Sequence, residues 1–125
     1  MHRRTNSILI LILLVGFLLR IYGLNWDQGF HLHPDERQIV LVTTSIDFSS
    51  GSLNPHFFAY GNFPIYLLKA VGNALGVFNK SLAEYGGINL VGRVISVIAD
   101  LGTIIIIFFL GKKLFNPKVG LMGSF

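Results

Sequence analysis

Apolar residues along the chain gather into two long runs, with a stretch of mixed character between them and a short apolar tail at the end. The first run covers 5–24 and is broken by a single charge, Arg20, near its far end. Twenty helical residues rise about 30 Å at ~1.5 Å each, the thickness of one hydrocarbon core. The second run, 88–111, ends in TIIIIFFLG and is followed by KKLFNPK. Both runs predict membrane-spanning helices. The signal-peptide alternative for the first, suggested by MHRR, lacks a small-x-small cleavage site in RIYGLNW, so an uncleaved span is expected.

The loop 25–87 between the two runs carries shorter patterns. At 34–50, Pro34 stands at a first helical position with Asp35 and Glu36 behind it, which is favourable chemistry for a helix start. Asp35, Ile39, Val42 and Ile46 then recur at helical steps, predicting an amphipathic surface helix. The segment 63–78 (FPIYLLKAVGNALGVF) is apolar but short, with Lys69 in its middle, and predicts a second surface helix or a tilted partial span. Gly51, Ser52, Asn54 and Pro55 mark a break, as do Gly86 and Gly87. The tail 118–125 reads as the start of a further span. The expected fold class is therefore an all-α integral membrane protein, one polytopic domain over 1–125.

Composition supports this reading. The chain has 125 residues, 52% apolar and 13% charged, with a mean hydropathy of +0.63. A soluble domain carries about twice that charged fraction. The absence of cysteine excludes disulfides and thiolate metal sites. The net charge of +4 is not arranged as a basic stripe with interleaved aromatics, so nucleic acid is not an expected partner. Instead Arg3 and Arg4 precede the first span, and Lys112, Lys113 and Lys118 follow the second. This predicts cytoplasmic flanks, an N-terminus inside and loop 25–87 outside. That loop holds five of the six acidic residues and three of the four histidines. Tyr22 and Trp26 stand where an interfacial aromatic belt belongs.

Candidate chemistry concentrates in FHLHPDER, residues 30–37. One reading is structural, since acids in a first turn favour the helix dipole and need no further role. A second is a divalent metal bound by His31, His33, Asp35 and Glu36, with His56 joining only through the fold. A third is general base catalysis, in which one partly desolvated carboxylate takes a proton from an acceptor hydroxyl. Arg93 and Asp100, seven residues apart on one helix face, predict either a structural pair or charges at a site. The triplet Asn79-Lys80-Ser81 fits an N-glycosylation acceptor, a pattern common by chance.

LLRIYGL, HPDE, NPHFFAYGNFPIYLL and GRVISVIADLGTIIIIFFLGKKLF follow one another along the chain. In that order they resemble the N-terminal part of the GT-C membrane glycosyltransferases, in particular the protein-mannosyltransferase-like, phospholipid carrier-dependent group. The resemblance covers essentially the whole chain. It implies transfer of a sugar from a polyprenyl- or dolichyl-phosphate carrier to an acceptor hydroxyl by inverting displacement. Asp35 would be the base and Glu36 would support it, while Arg93, His33, His56 and Tyr60 are candidate substrate-binding residues. Where many members carry His-Pro-Pro, this chain has Asn62-Phe63-Pro64, which leaves the acceptor open. Members are several times longer, so the chain is expected to be an N-terminal fragment, inactive alone, with the remaining spans and membrane lipids as partners. The competing expectation is a small non-catalytic membrane protein, an accessory subunit or an anchor with a lipid-binding loop. A weaker one is a transporter fragment using Arg93 and Asp100.

Overall fold

A computed structural model describes residues 2–125, with side chains from Arg4 onward. Arg3, part of the expected cytoplasmic flank, lies outside the described side chains. The described residues are all-helical, without a strand; one isolated bridge joins Asp47 and Ser52. The helices are α1 (His2–Ile21), α2 (Pro34–Ser45), α3 (Phe63–Gly76), α4 (Ile88–Leu114) and α5 (Pro117–Ser124), with a 3-10 turn at Lys80–Ala83. Two of them, over Arg4–Ile21 and Ile88–Leu114, are long and apolar enough to cross a membrane. Their exposed surface is largely Ile, Leu, Val and Phe. The chain divides into two compact units, residues up to Leu24 with Val94–Phe125, and Asn25–Arg93.

In the first unit, α1 packs against α5 and against α4. Small residues set the approach. A Cβ on Gly16 would stand 3.2 Å from the Ile104 side chain, and one on Gly111 only 2.8 Å from the Gly120 Cα. Small residues at such positions let apolar helices approach closely. Asn116 starts α5, its side-chain oxygen accepting from Lys118 N at 3.0 Å and Val119 N at 3.1 Å. Pro117 occupies the first helical position. Arg20 Nε donates to Asp100 Oδ2 at 2.6 Å. Asp100 therefore finds its ion-pair partner in Arg20, whereas the spacing had offered Arg93 on the same face. A carboxylate thirteen residues into an apolar helix needs a partner, and the end of α1 supplies it.

The second unit holds α2, α3, the 3-10 turn and the first residues of α4. Its core joins Val42, Ile46 and Ile65, with Phe57 and Tyr66 packed on them. The apolar stripe of α2 thus packs against α3 rather than lying open to lipid, and Val40, Val42 and Thr43 are all buried. Asp35, expected on that stripe, is exposed at its edge. The helix stops at Ser45 instead of running to 50. The Thr44 and Ser45 hydroxyls donate back to the carbonyls of Val40 and Val42, and Asp47 then accepts from Ser49 N at 2.8 Å and closes a turn. In α3, Ile65, Leu68, Lys69 and Gly72 face inward. Gly87 is required by packing, since a Cβ there would meet the Ser81 carbonyl oxygen at 2.5 Å.

Candidate functional site

The site is assembled on the approach to α2. Residues 25–31 wind through successive turns, with Gln28 N donating to Asn25 O and Phe30 N to Asp27 O. Gln28, Gly29 and His31 all take positive φ. Two of these are not glycine, a conformation that persists only where surrounding contacts enforce it. For His31 those contacts are visible. The ring is fully buried, its Nε2–H donates to the Tyr85 carbonyl at 2.8 Å, and it stands edge-on to the Tyr85 ring at 4.5 Å. Arg37 Nε donates to the His31 carbonyl at 3.1 Å. His31 is thus a strut of the loop.

The winding carries Asp27 out of solvent. Its side chain is 0% exposed and faces Arg93 from the start of α4. Arg93 Nη1 donates to Asp27 Oδ1 at 3.0 Å and Nη2 to Oδ2 at 2.7 Å. The same guanidinium donates through Nε to Glu36 Oε1 and through Nη2 to Glu36 Oε2, both at 2.7 Å. Its carbon also stands 5.7 Å from the Trp26 ring centroid, within cation–π range. One guanidinium therefore clamps two carboxylates in bidentate fashion, the strongest geometry open to such pairs. Gly29 N adds a bond to Asp27 Oδ1 at 3.3 Å.

The hydrogen bonds from Arg93 hold the Asp27 carboxyl at about 2, below the ordinary aspartate range. A carboxyl lowered on folding contributes its full stability above the ordinary value and loses it as pH falls through the native one. The Asn25–Arg93 unit is accordingly expected to weaken as pH drops from about 4 towards 2, and Asp47, which hydrogen bonds from Ser49 and Ser50 also hold at about 2, adds to the loss in the same window. Hydrogen exchange across that range checks this; an equally acid-sensitive Asp27→Asn chain would contradict the assignment.

The acidic pair of the sequence is thereby split. Glu36 is partly covered and engaged by Arg93. Asp35, one residue earlier, is exposed. Its neighbour is Tyr60, whose hydroxyl it pushes above the ordinary tyrosine value. Tyr60 comes from the α2–α3 connection, its ring edge-on to Phe57 at 5.5 Å. That connection is tied down where Tyr66 donates its hydroxyl to the Leu53 carbonyl at 2.8 Å. His33 precedes α2 without a side-chain capping bond, and is exposed. His56 is also exposed, at φ 50°, with its N–H donating to Asn54 Oδ1.

Of the residues singled out from sequence, the structure brings Asp35 together with Tyr60, and Glu36 together with Arg93. Among the described residues no hydrogen bond or ion pair joins a His33 or His56 side chain to either pair. Among the described residues no three His, Cys, Asp or Glu side chains gather into a metal site. Asp27 and Trp26 are the partners that sequence reasoning missed. The chain matches no family model, no curated protein and no solved structure.

Proposed function

We propose that this chain provides the base-bearing loop of a membrane glycosyltransferase. In this reading α1 and α4 cross the bilayer, the N-terminus is cytoplasmic, and the unit Asn25–Arg93 faces outward. The enzyme moves a sugar from a polyprenyl- or dolichyl-phosphate carrier to an acceptor hydroxyl. The carrying observation is the division of labour in the acidic pair. Arg93 engages Glu36 and Asp27, whereas Asp35 stands exposed beside the Tyr60 hydroxyl. The sequence resemblance supports the same residue.

The chemistry is a single displacement. Asp35 takes the proton of the acceptor hydroxyl, the freed oxygen attacks the anomeric carbon, and the bond from that carbon to the carrier phosphate breaks as the phosphate leaves with the electron pair. The departing anion needs positive charge nearby. Arg93 directs its charge to two carboxylates, so in this reading it organises the site rather than binding the phosphate. Arg37, exposed two residues beyond Asp35 and held through Nε by the His31 carbonyl, is the cation of this loop better placed for that role.

A second reading, a non-catalytic membrane anchor, draws on the apolar residues exposed at the far end of α3, notably Val77 and Phe78. Asp35→Asn separates the two. Assayed in the intact protein in native membranes with a lipid-phosphate sugar donor, it is expected to lower transfer by about 10²–10⁴-fold while membrane insertion is unchanged. Undiminished transfer by the variant would overturn the catalytic reading.

A further inference from the structure

We propose that Asp27 is a positioning residue for the Asp35 base, acting through Arg93 and Glu36. The inference rests on the catalytic reading of Asp35 and adds a residue to it. The starting point is an anomaly of burial. A carboxylate with no solvent exposure is costly unless paired and hydrogen-bonded, yet the chain adopts two positive-φ non-glycine residues, Gln28 and His31, in the loop that places it. Glu36 alone would give Arg93 a bidentate partner. The second carboxylate is therefore not needed to neutralise the arginine.

What Asp27 adds is direction. Glu36 takes the Nε–Nη2 edge of the guanidinium and Asp27 takes the Nη1–Nη2 edge. With adjacent edges of a planar fork held, the plane cannot turn about the long side chain that carries it. Trp26, the neighbour of Asp27, covers the group as well. The fixed fork in turn fixes Glu36, which belongs to the first turn of α2. Successive residues of a helix project about 100° apart. Pinning Glu36 inward therefore sets the direction in which Asp35 points, outward and beside Tyr60. Asp27 lies 66 residues from Arg93 in sequence, so the orientation of the base depends on the segment that follows α1.

The test combines kinetics with a direct view of the clamp. In the intact protein in native membranes, with rates normalised to folded protein, Asp27→Asn is expected to lower kcat by about 10–100-fold with KM unchanged, since small misplacements of a reacting group cost rates of this order. Glu36→Gln should do the same, and the double variant should be no worse than either single one. Asp27→Glu should recover part of the loss. A kcat for Asp27→Asn equal to the parent's, or losses that multiply in the double variant, would overturn the proposal. Independently of transfer, the Arg93 Nε–H resonance of ¹⁵N-arginine-labelled chain in lipid nanodiscs should be sharp and protected, and should broaden in Asp27→Asn. An unchanged resonance overturns the proposal whatever the kinetics show. Broadening, together with transfer that survives Asp35→Asn, would leave the clamp in place and bring down the catalytic reading instead.

Discussion

Arg93→Met is expected to destabilise the Asn25–Arg93 unit by about 3–5 kcal/mol, the usual cost of removing one partner from a buried ion pair. The size follows from what is left behind. The Asp27 carboxylate has no solvent exposure, and most of its hydrogen bonds come from Arg93. Methionine matches the bulk of the arginine stem but donates nothing, so a buried charge loses its counter-ion. Glu36, which is partly exposed, can turn to water and adds less. Hydrogen exchange of the unit in nanodiscs measures the loss. The charge origin has its own control, because removing all three charges leaves none unpaired. The triple variant Asp27→Leu, Glu36→Met, Arg93→Met is therefore expected to regain most of the stability. A triple variant less stable than Arg93→Met alone would show that the clamp acts through shape rather than charge.

The clamp also marks the boundary of what could be read from sequence. The two long apolar helices were legible because their length and composition are local properties, summed over about 20 residues. The start of α2 was legible for a similar reason, since Pro34 and two acids form a local signature. Its end was not. Hydrophobic spacing ran on to Ile46 and the expected helix to residue 50, while the stop came from Asp47 and Ser49 closing a turn. Charge partners were the least legible. Arg93 and Asp100 share a helix face, yet each is claimed from elsewhere, Arg93 by Asp27 and Glu36 and Asp100 by Arg20. Periodicity orders the residues of one helix and says nothing about what another segment brings to it. Asp27 carried no local signature of its own among the acids of the loop. The available signal was electrostatic, because an arginine at the start of an apolar run needs a counter-charge and five acids lie in the loop before it.

Ile65→Ala is expected to cost about 2–5 kcal/mol, through a mechanism that owes nothing to charge. Ile65 is 0% exposed, and its cluster partners Val42 and Ile46 belong to α2 and its end. Removing three carbons leaves a cavity between α2 and α3, whose walls are held at both ends. Phe57 packs on the same cluster and touches Tyr60, and Tyr66 is tied to Leu53. Limited collapse puts the cost in the upper part of the range, whereas Ile65→Val should cost about 0.5–1.5 kcal/mol. Measured against the parent at each pH, the loss should not change between pH 4 and pH 2, since no titrating group enters the cavity's making. This separates it from the weakening of the Asp27 clamp at lower pH. The same cluster carries the Tyr60 loop through Phe57, so a cavity here loosens Tyr60 while the Arg93 fork still holds Glu36. Transfer per folded molecule should then fall less in Ile65→Ala than in Asp27→Asn. The reverse ranking would mean that the base is held in place from the α2–α3 core rather than from the loop after α1.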